Sequence, residues 1–122
     1  MTTPQKVNLA EKFGGFREHW SPKIAGEVND SYVKLVKFQG EFVWHKHEDE
    51  DEMFLVVAGR ITIRFRDGDV VLEENEFLVV PKGVEHCPYA AEEAQVLLFE
   101  PKTTLNTGDV VNERTREKLD RI

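Results

Sequence analysis

The sequence predicts an all-β domain, a sandwich or barrel of short strands. Three observations predict it. Seven runs rich in Val, Phe, Ile and Leu, at 31–39, 41–47, 52–58, 60–66, 69–74, 77–81 and 94–100, are separated by turn residues. Arg60–Arg66 alternates strictly, with Ile61, Ile63 and Phe65 on one face and Arg60, Thr62, Arg64 and Arg66 on the other. The strands are short and regularly spaced, the habit of sandwiches and barrels. A chain of 122 residues buries roughly two thirds of its unfolded surface, enough for one core.

The elements follow in chain order. Residues 1–12 are polar and read as an arm or a short helix. Residues 13–30 hold Gly14-Gly15, Pro22, Gly26 and Asn29-Asp30, so loop with short extended pieces is expected. Residues 1–30 therefore form an N-terminal arm and loop packing on the barrel, and residues 31–104 form the barrel itself. Gly59 falls between two strands and marks a sharp bend. Asp67-Gly68-Asp69 signals a hairpin turn. Residues 105–122 form a C-terminal segment with a short helix, Asn112–Leu119, with Asn112 as its cap, Glu113 in its first turn and Lys118 in its last.

Composition removes several function classes. A net charge of −7 argues against nucleic acid, whose phosphates need clustered Lys and Arg, and against an anionic membrane surface. The longest apolar runs, Met53–Ala58 and Phe77–Val80, are far too short to span a bilayer. The first residues lack an apolar signal core, which argues against secretion. The single Cys87 forms no intrachain disulfide and suits a reducing compartment. A cytoplasmic protein is expected.

The chemistry lies in Trp44-His45-Lys46-His47. In a strand, residues i and i+2 share a face, so His45 and His47 present two imidazoles about 7 Å apart. An acidic turn follows, and Glu52 opens the next strand, which antiparallel pairing returns toward the histidines. His86 comes after the run 77–81 and the turn Pro81-Lys82-Gly83. Imidazoles with a carboxylate suit one divalent ion among Zn, Fe, Mn, Ni and Co. Each part has a bland reading. An HxH is a common surface accident, the run Glu48–Glu52 alone is a solvated loop, and Asp51 competes with Glu52 as ligand.

Together the parts resemble two cupin motifs. The first is matched by Gly40, His45, His47, four residues, Glu52, six residues and Gly59. The second is matched over Asn75–His86, with Pro81-x-Gly83 and two residues before His86. The resemblance covers residues 31–100. It implies a double-stranded β-helix, or jelly-roll, barrel holding one metal inside through His45, His47, Glu52 and His86. The family spacing favours Glu52 over Asp51. More narrowly, the chain resembles the small single-domain cupins of the mannose-6-phosphate isomerase-like, cupin 2 conserved barrel, kind. Departures are four residues rather than five between Gly40 and His45, Asn75 for an opening Gly, and Ala90 for a frequent Asn. None removes a ligand.

By strand parity Val43, Phe54, Val56 and Val79, with Phe65, are expected to line the interior, and Tyr89 and Gln95 to supply polar substrate contacts. Arg64 faces solvent, His19 is a surface or packing residue, and Cys87 is a buried structural thiol. Phe42 and Trp44 alternate with the histidines and so face outward, which predicts cover by the arm or by a second copy, hence a homodimer. Cupins include dioxygenases, isomerases and binding modules. The first expectation is a metal-dependent enzyme of dioxygenase or isomerase type on a small polar molecule, with Glu52 moving a proton. The alternatives are a module that binds a small ligand or sugar without turnover, and a metal-free structural barrel.

Overall fold

The computed structural model describes residues 3–122. One short helix, α1 (Leu9–Phe13), precedes seven strands: β1 (Lys23–Val28), β2 (Ser31–Glu41), β3 (Glu52–Ala58), β4 (Ile61–Phe65), β5 (Gly68–Leu72), β6 (Phe77–Val80) and β7 (His86–Pro101). The sheet runs β1-β2-β7-β3-β6, and β4 pairs with both β5 and β7. Every strand pairing is antiparallel. Among the described residues no helix is long and apolar enough to cross a membrane.

β7 is the organising strand. Its first residues pair with β4, and its later ones lie between β2 and β3. Sequence pattern found only 94–100 of it, because Pro88 and the polar Glu92-Glu93 interrupt the apolar run. The inward residues of β2, β3, β4, β6 and β7 share one core, including Val36, Phe38, Phe54, Val56, Ile61, Ile63, Val80 and Val96. This jelly-roll barrel is the expected fold class.

The N-terminal arm covers the outside of the sheet. Asn8 caps α1, its side chain accepting from Glu11 N at 2.9 Å. Phe13 and Phe16 then bury against Leu35, whose side chain points away from the main core. Lys37 Nζ donates to Phe16 O at 2.7 Å and ties the arm down. β1 pairs with β2, so the sheet begins at Lys23 rather than at residue 31.

Three expectations are corrected. Residues 42–47 do not form a strand; only a bridge between His45 and His86 pairs them. The helix Asn112–Leu119 does not form, and the segment is a series of turns. Asn112 Oδ1 accepts from Arg114 N at 2.9 Å, an i to i+2 bond that competes with helix nucleation. Asn106 then takes Arg114 O and Arg116 N, both at 2.8 Å, which a helix would need for itself. The hairpin turn also falls one residue early, since Phe65 pairs with Gly68.

Candidate metal centre

His45 and His47 sit on the irregular segment between β2 and β3, held by its neighbours rather than by a sheet. His45 N donates to His86 O at 3.0 Å, and His86 N returns to His45 O at 2.9 Å. Between the two histidines, Lys46 N donates to Asp109 Oδ1 at 3.0 Å, and Asp109 N donates to Lys46 O at 3.1 Å. The adjoining Gly108 has φ +56°, and a Cβ there would lie 2.2 Å from Lys46 O and 3.0 Å from His45 Cδ2. Only glycine fits that approach. Gly83 N donates to His47 O at 2.7 Å, which explains the turn Pro81-x-Gly83: it pins the second histidine.

Glu52 opens β3 opposite Val80 of β6 and points inward. Asp51 does not compete with it. That side chain is exposed and accepts from Lys82 N at 2.9 Å.

His45, His47, Glu52 and His86 are all buried, and one ligand atom from each lies within 4.8 Å of the others. That is close to the spread of ligands at roughly 2.1 Å around one ion. His47 Nε2 and His86 Nε2 lie 3.3 and 3.4 Å from Glu52 Oε1. His45 Nδ1 donates to Val43 O and His86 Nδ1 to Val84 O, both at 2.9 Å. Those bonds assign the tautomer and leave each Nε2 lone pair facing the centre. His47 Nε2, Glu52 Oε1 and His86 Nε2 are buried without a hydrogen-bond partner. Each such atom costs about 1–3 kcal/mol, and a cation among them would satisfy all three. The donor set fits a divalent metal.

The electrostatics agree. Burial pushes His45 down to about 4, helped by the neighbouring His86, so its imidazole is neutral and ready to ligate. Burial raises the Glu52 carboxyl, but the adjacent imidazoles of His47 and His86 overcome this and hold it below the ordinary carboxylate range.

Behind Glu52 stands a pair that sequence reading missed. Glu100 and Lys34 are both buried inside the barrel, 3.4 Å apart. Burial, and then the nearby Glu52, push the Glu100 carboxyl well up; Lys34 opposes this in part.

A narrow cavity adjoins the centre, with room for about one water molecule as it stands. Trp20, Pro22, Val36, Phe38, Phe42, Phe54, Pro88 and Leu98 line it, with His45, Glu52 and Asn106. Trp20 stacks on Phe38 and Phe42 at centroid distances of 4.3 and 4.7 Å, and its Nε1 donates to Gln39 O. Trp20 holds φ +58°, an uncommon conformation for a bulky residue.

Of the expected lining residues, Phe54 faces the cavity. Val56 is buried further along in the core. Val43 contributes the carbonyl that orients His45. Four expectations are corrected. Val79 is 46% exposed, because β6 turns Leu78 and Val80 inward instead. Tyr89 lies on the outer face, with Arg64 over its ring at 4.7 Å, between the buried Pro88 and Ala90. Gln95 likewise alternates with the buried Ala94 and Val96 and faces out. Phe42, expected outside, lines the cavity, since parity does not hold on an irregular segment. Trp44 is half-buried with Arg66 over its ring at 3.9 Å. His19 contacts Glu93 at the surface, and Cys87 is buried.

Comparison with known proteins places these features. The family described as Cupin domain matches residues 32–101. The chain is 48% identical over 61 residues to the uncharacterized protein YdbB of Bacillus subtilis (strain 168), across 49% of this chain and 54% of that protein. It thus spans about half the length of that relative. It is similar to a cupin-2 domain containing protein from Shewanella frigidimarina, at 49% identity and TM-score 0.78 over 79% of this chain and 94% of that one. Hydroquinone 1,2-dioxygenase from Sphingomonas sp. TTNP3, in complex with 4-nitrophenol, shares the fold alone, at 18% identity and TM-score 0.71 over 81% of this chain and 33% of that one.

Proposed function

This chain belongs to the cupin family, and on that premise we propose that it is a metal-dependent enzyme of the dioxygenase type acting on a small organic molecule. One observation carries the reading: the cavity beside the four ligands offers almost nothing polar except the ligands themselves. Isomerisation of a polar substrate needs an acid and a base to move a proton. His45 and Glu52 are the titratable residues that line the cavity, and both belong to the ligand set. Asn106 is already spent on Arg114 O and Arg116 N. Dioxygenation places both atoms of dioxygen in the organic substrate, so it needs no external reductant and no separate proton machinery.

A divalent ion held by His45, His47, Glu52 and His86 would supply Lewis-acid chemistry and, for a redox-active metal, the means to engage dioxygen. The chain's own residues do the rest. Val43 O and Val84 O fix the two imidazoles, Glu52 balances charge, and the aromatic walls exclude bulk water.

Two measurements test this. Elemental analysis of untagged protein purified without chelators is expected to give about one metal per chain; a value near zero after reconstitution with Fe, Mn, Ni, Co or Zn removes the metal reading. Oxygen uptake by the iron-loaded protein with a panel of phenols, diketones and keto acids is expected for at least one substrate. Uptake with none of them supports the second reading, a module that binds without turnover, which the narrowness of the cavity favours.

We also propose a homodimer, on different ground from the sequence expectation. Among the described residues β6 pairs only with β3, and it exposes Phe77 at 62% along with Val79. Light scattering that gives the mass of one chain at high concentration removes it. A reducing compartment, supported by the lone buried thiol of Cys87, is proposed as its location.

A further inference from the structure

We infer that the substrate is a single planar aromatic ring carrying an oxygen donor, a phenol or catechol, and not a sugar, a phosphate ester or an aliphatic acid. The inference rests on the metal-centre reading above and adds to it what the walls select.

The walls are the first argument. Trp20, Phe38, Phe42 and Phe54 bring four aromatic rings to one small space next to His45 and Glu52. The Trp20 ring stacks on those of Phe38 and Phe42, at 22° to each. Stacked and edge-on aromatic contacts add attraction beyond what area burial alone supplies. A flat ring is the shape that such walls hold.

The missing polar partners are the second. None of the lining residues is Lys, Arg, Ser or Thr. A sugar would bury several hydroxyls, each left unpaired at a cost in free energy. A phosphate ester or free carboxylate would need a cation beyond the metal. The guanidinium of Arg114, 5.7 and 5.9 Å from the Trp20 and Phe42 ring centroids, is not among the lining residues. A phenol or catechol asks for polar contact only at its oxygens, which meet the metal.

Room is the third. The cavity holds no ring as it stands, and the ring's place is taken by Phe42. That side chain is half-buried and sits on the irregular segment after β2, not in a ladder. A ligand ring displaces Phe42 from its stack and takes the same position against Trp20.

The test uses the two indoles of the chain, Trp20 in the cavity wall and Trp44 under Arg66. In ¹⁵N-labelled protein they give two indole N–H signals, assigned by loss of one in Trp44→Phe or, should that variant not fold, by the shift of one in Arg66→Ala. Zinc-loaded protein is titrated with catechol, with pentane-2,4-dione as a ringless oxygen chelator, and with mannose 6-phosphate. The expected result is that catechol moves the Trp20 signal and not the Trp44 signal, at concentrations at least tenfold below either control. The inference is overturned if the dione or the sugar phosphate acts at equal or lower concentration, or if catechol leaves the Trp20 signal unmoved. The two readings fail separately. Stoichiometric zinc with no response to catechol removes the ring and keeps the metal. A catechol response in protein that takes up no zinc keeps the ring and removes the metal.

Discussion

The barrel interior has a polar end and an apolar end, and three adjacent strands run from one to the other in the same order. Inward along β2 come Lys34, Val36 and Phe38; along β3, Glu52, Phe54 and Val56; along β7 read backwards, Glu100, Leu98, Val96 and Ala94. The first of each is ionisable and the rest are hydrocarbon. The histidines stand at the charged end, while Ile61 and Leu72 close the other. The difference teaches where stability and function are kept. Buried hydrocarbon stabilises at about 25 cal/mol per Å². Buried ionisable groups cost free energy unless every atom is partnered, and several at this end are not. The apolar end should hold the fold, and the polar end should hold the ligand.

The largest expected effect is at the apolar end. Ile61→Ala removes a fully buried side chain and should cost about 2–5 kcal/mol of stability. Urea unfolding measures the loss. Metal bound per folded chain should stay unchanged; a parallel fall in metal affinity would break the division between the ends.

At the polar end, pH separates the histidines from the core. His45 titrates at about 4 in the folded chain, against an ordinary histidine value of 6.5. Between those values the unfolded chain binds a proton that the folded chain refuses, so stability rises with pH across that window and is lost as pH falls through it. The shift corresponds to roughly 3 kcal/mol. Glu52, held low, acts in the same direction below 4.5, whereas Glu100, held high, acts in the opposite direction above 4.5. The clean comparison is metal-free wild type against His45→Gln. The stability advantage of wild type should shrink by about that amount between pH 7 and pH 4; a constant difference refutes the buried neutral imidazole.

The two ends also differ in how far the sequence discloses them. The run 52–58 is β3 to the residue, and the alternation of Arg60–Arg66 put Ile61 and Ile63 in the core as expected. Regular backbone makes parity a reliable guide. The buried cluster of His45, His47, Glu52 and His86 was legible because its spacing repeats a known motif, not because parity placed it. Around them parity failed, since 42–47 is no strand, and Phe42 turned in against expectation. The C-terminal contribution was invisible for another reason. Asp109 holds Lys46 through a backbone and a carboxylate bond from 63 residues away, with Gly108 packed against the same carbonyl, and no local pattern encodes such a contact. Lys34 and Glu100 were hidden because each sits in an apolar strand, where a lone charge reads as a solvent-facing position.

That clamp gives the next effect in size. Gly108→Ala places a Cβ against Lys46 O and His45 Cδ2, so the segment between the two histidines must shift. Metal affinity should fall by about 10–100-fold, the range found for groups that orient ligands, while the core remote from the loop stays folded by circular dichroism. Asp109→Asn keeps the backbone bond and should fall near the lower limit. Unchanged metal affinity in Gly108→Ala would show that the ligands do not depend on the C-terminal segment for their position.

The smallest effect tests why charge is kept at the polar end at all. Lys34 and Glu100 meet only at 3.4 Å, and Lys34 Nζ reaches Thr104 O only at 3.5 Å. Glu100 Oε2 and Thr104 Oγ1 have no partner. Replacing such a pair with hydrocarbon of similar volume is often neutral or stabilising. The double variant Lys34→Met with Glu100→Leu should therefore leave the metal-free protein within about 1 kcal/mol of wild type or more stable. Its metal affinity should drop by less than the Gly108→Ala loss, because Glu52 keeps its strand position and loses only the neighbour behind it. The single variant Glu100→Leu leaves Lys34 buried without its carboxylate and should be the less stable of the two. A double variant that unfolds would mean that the polar end carries the fold as well, and the contrast between the ends would go with it.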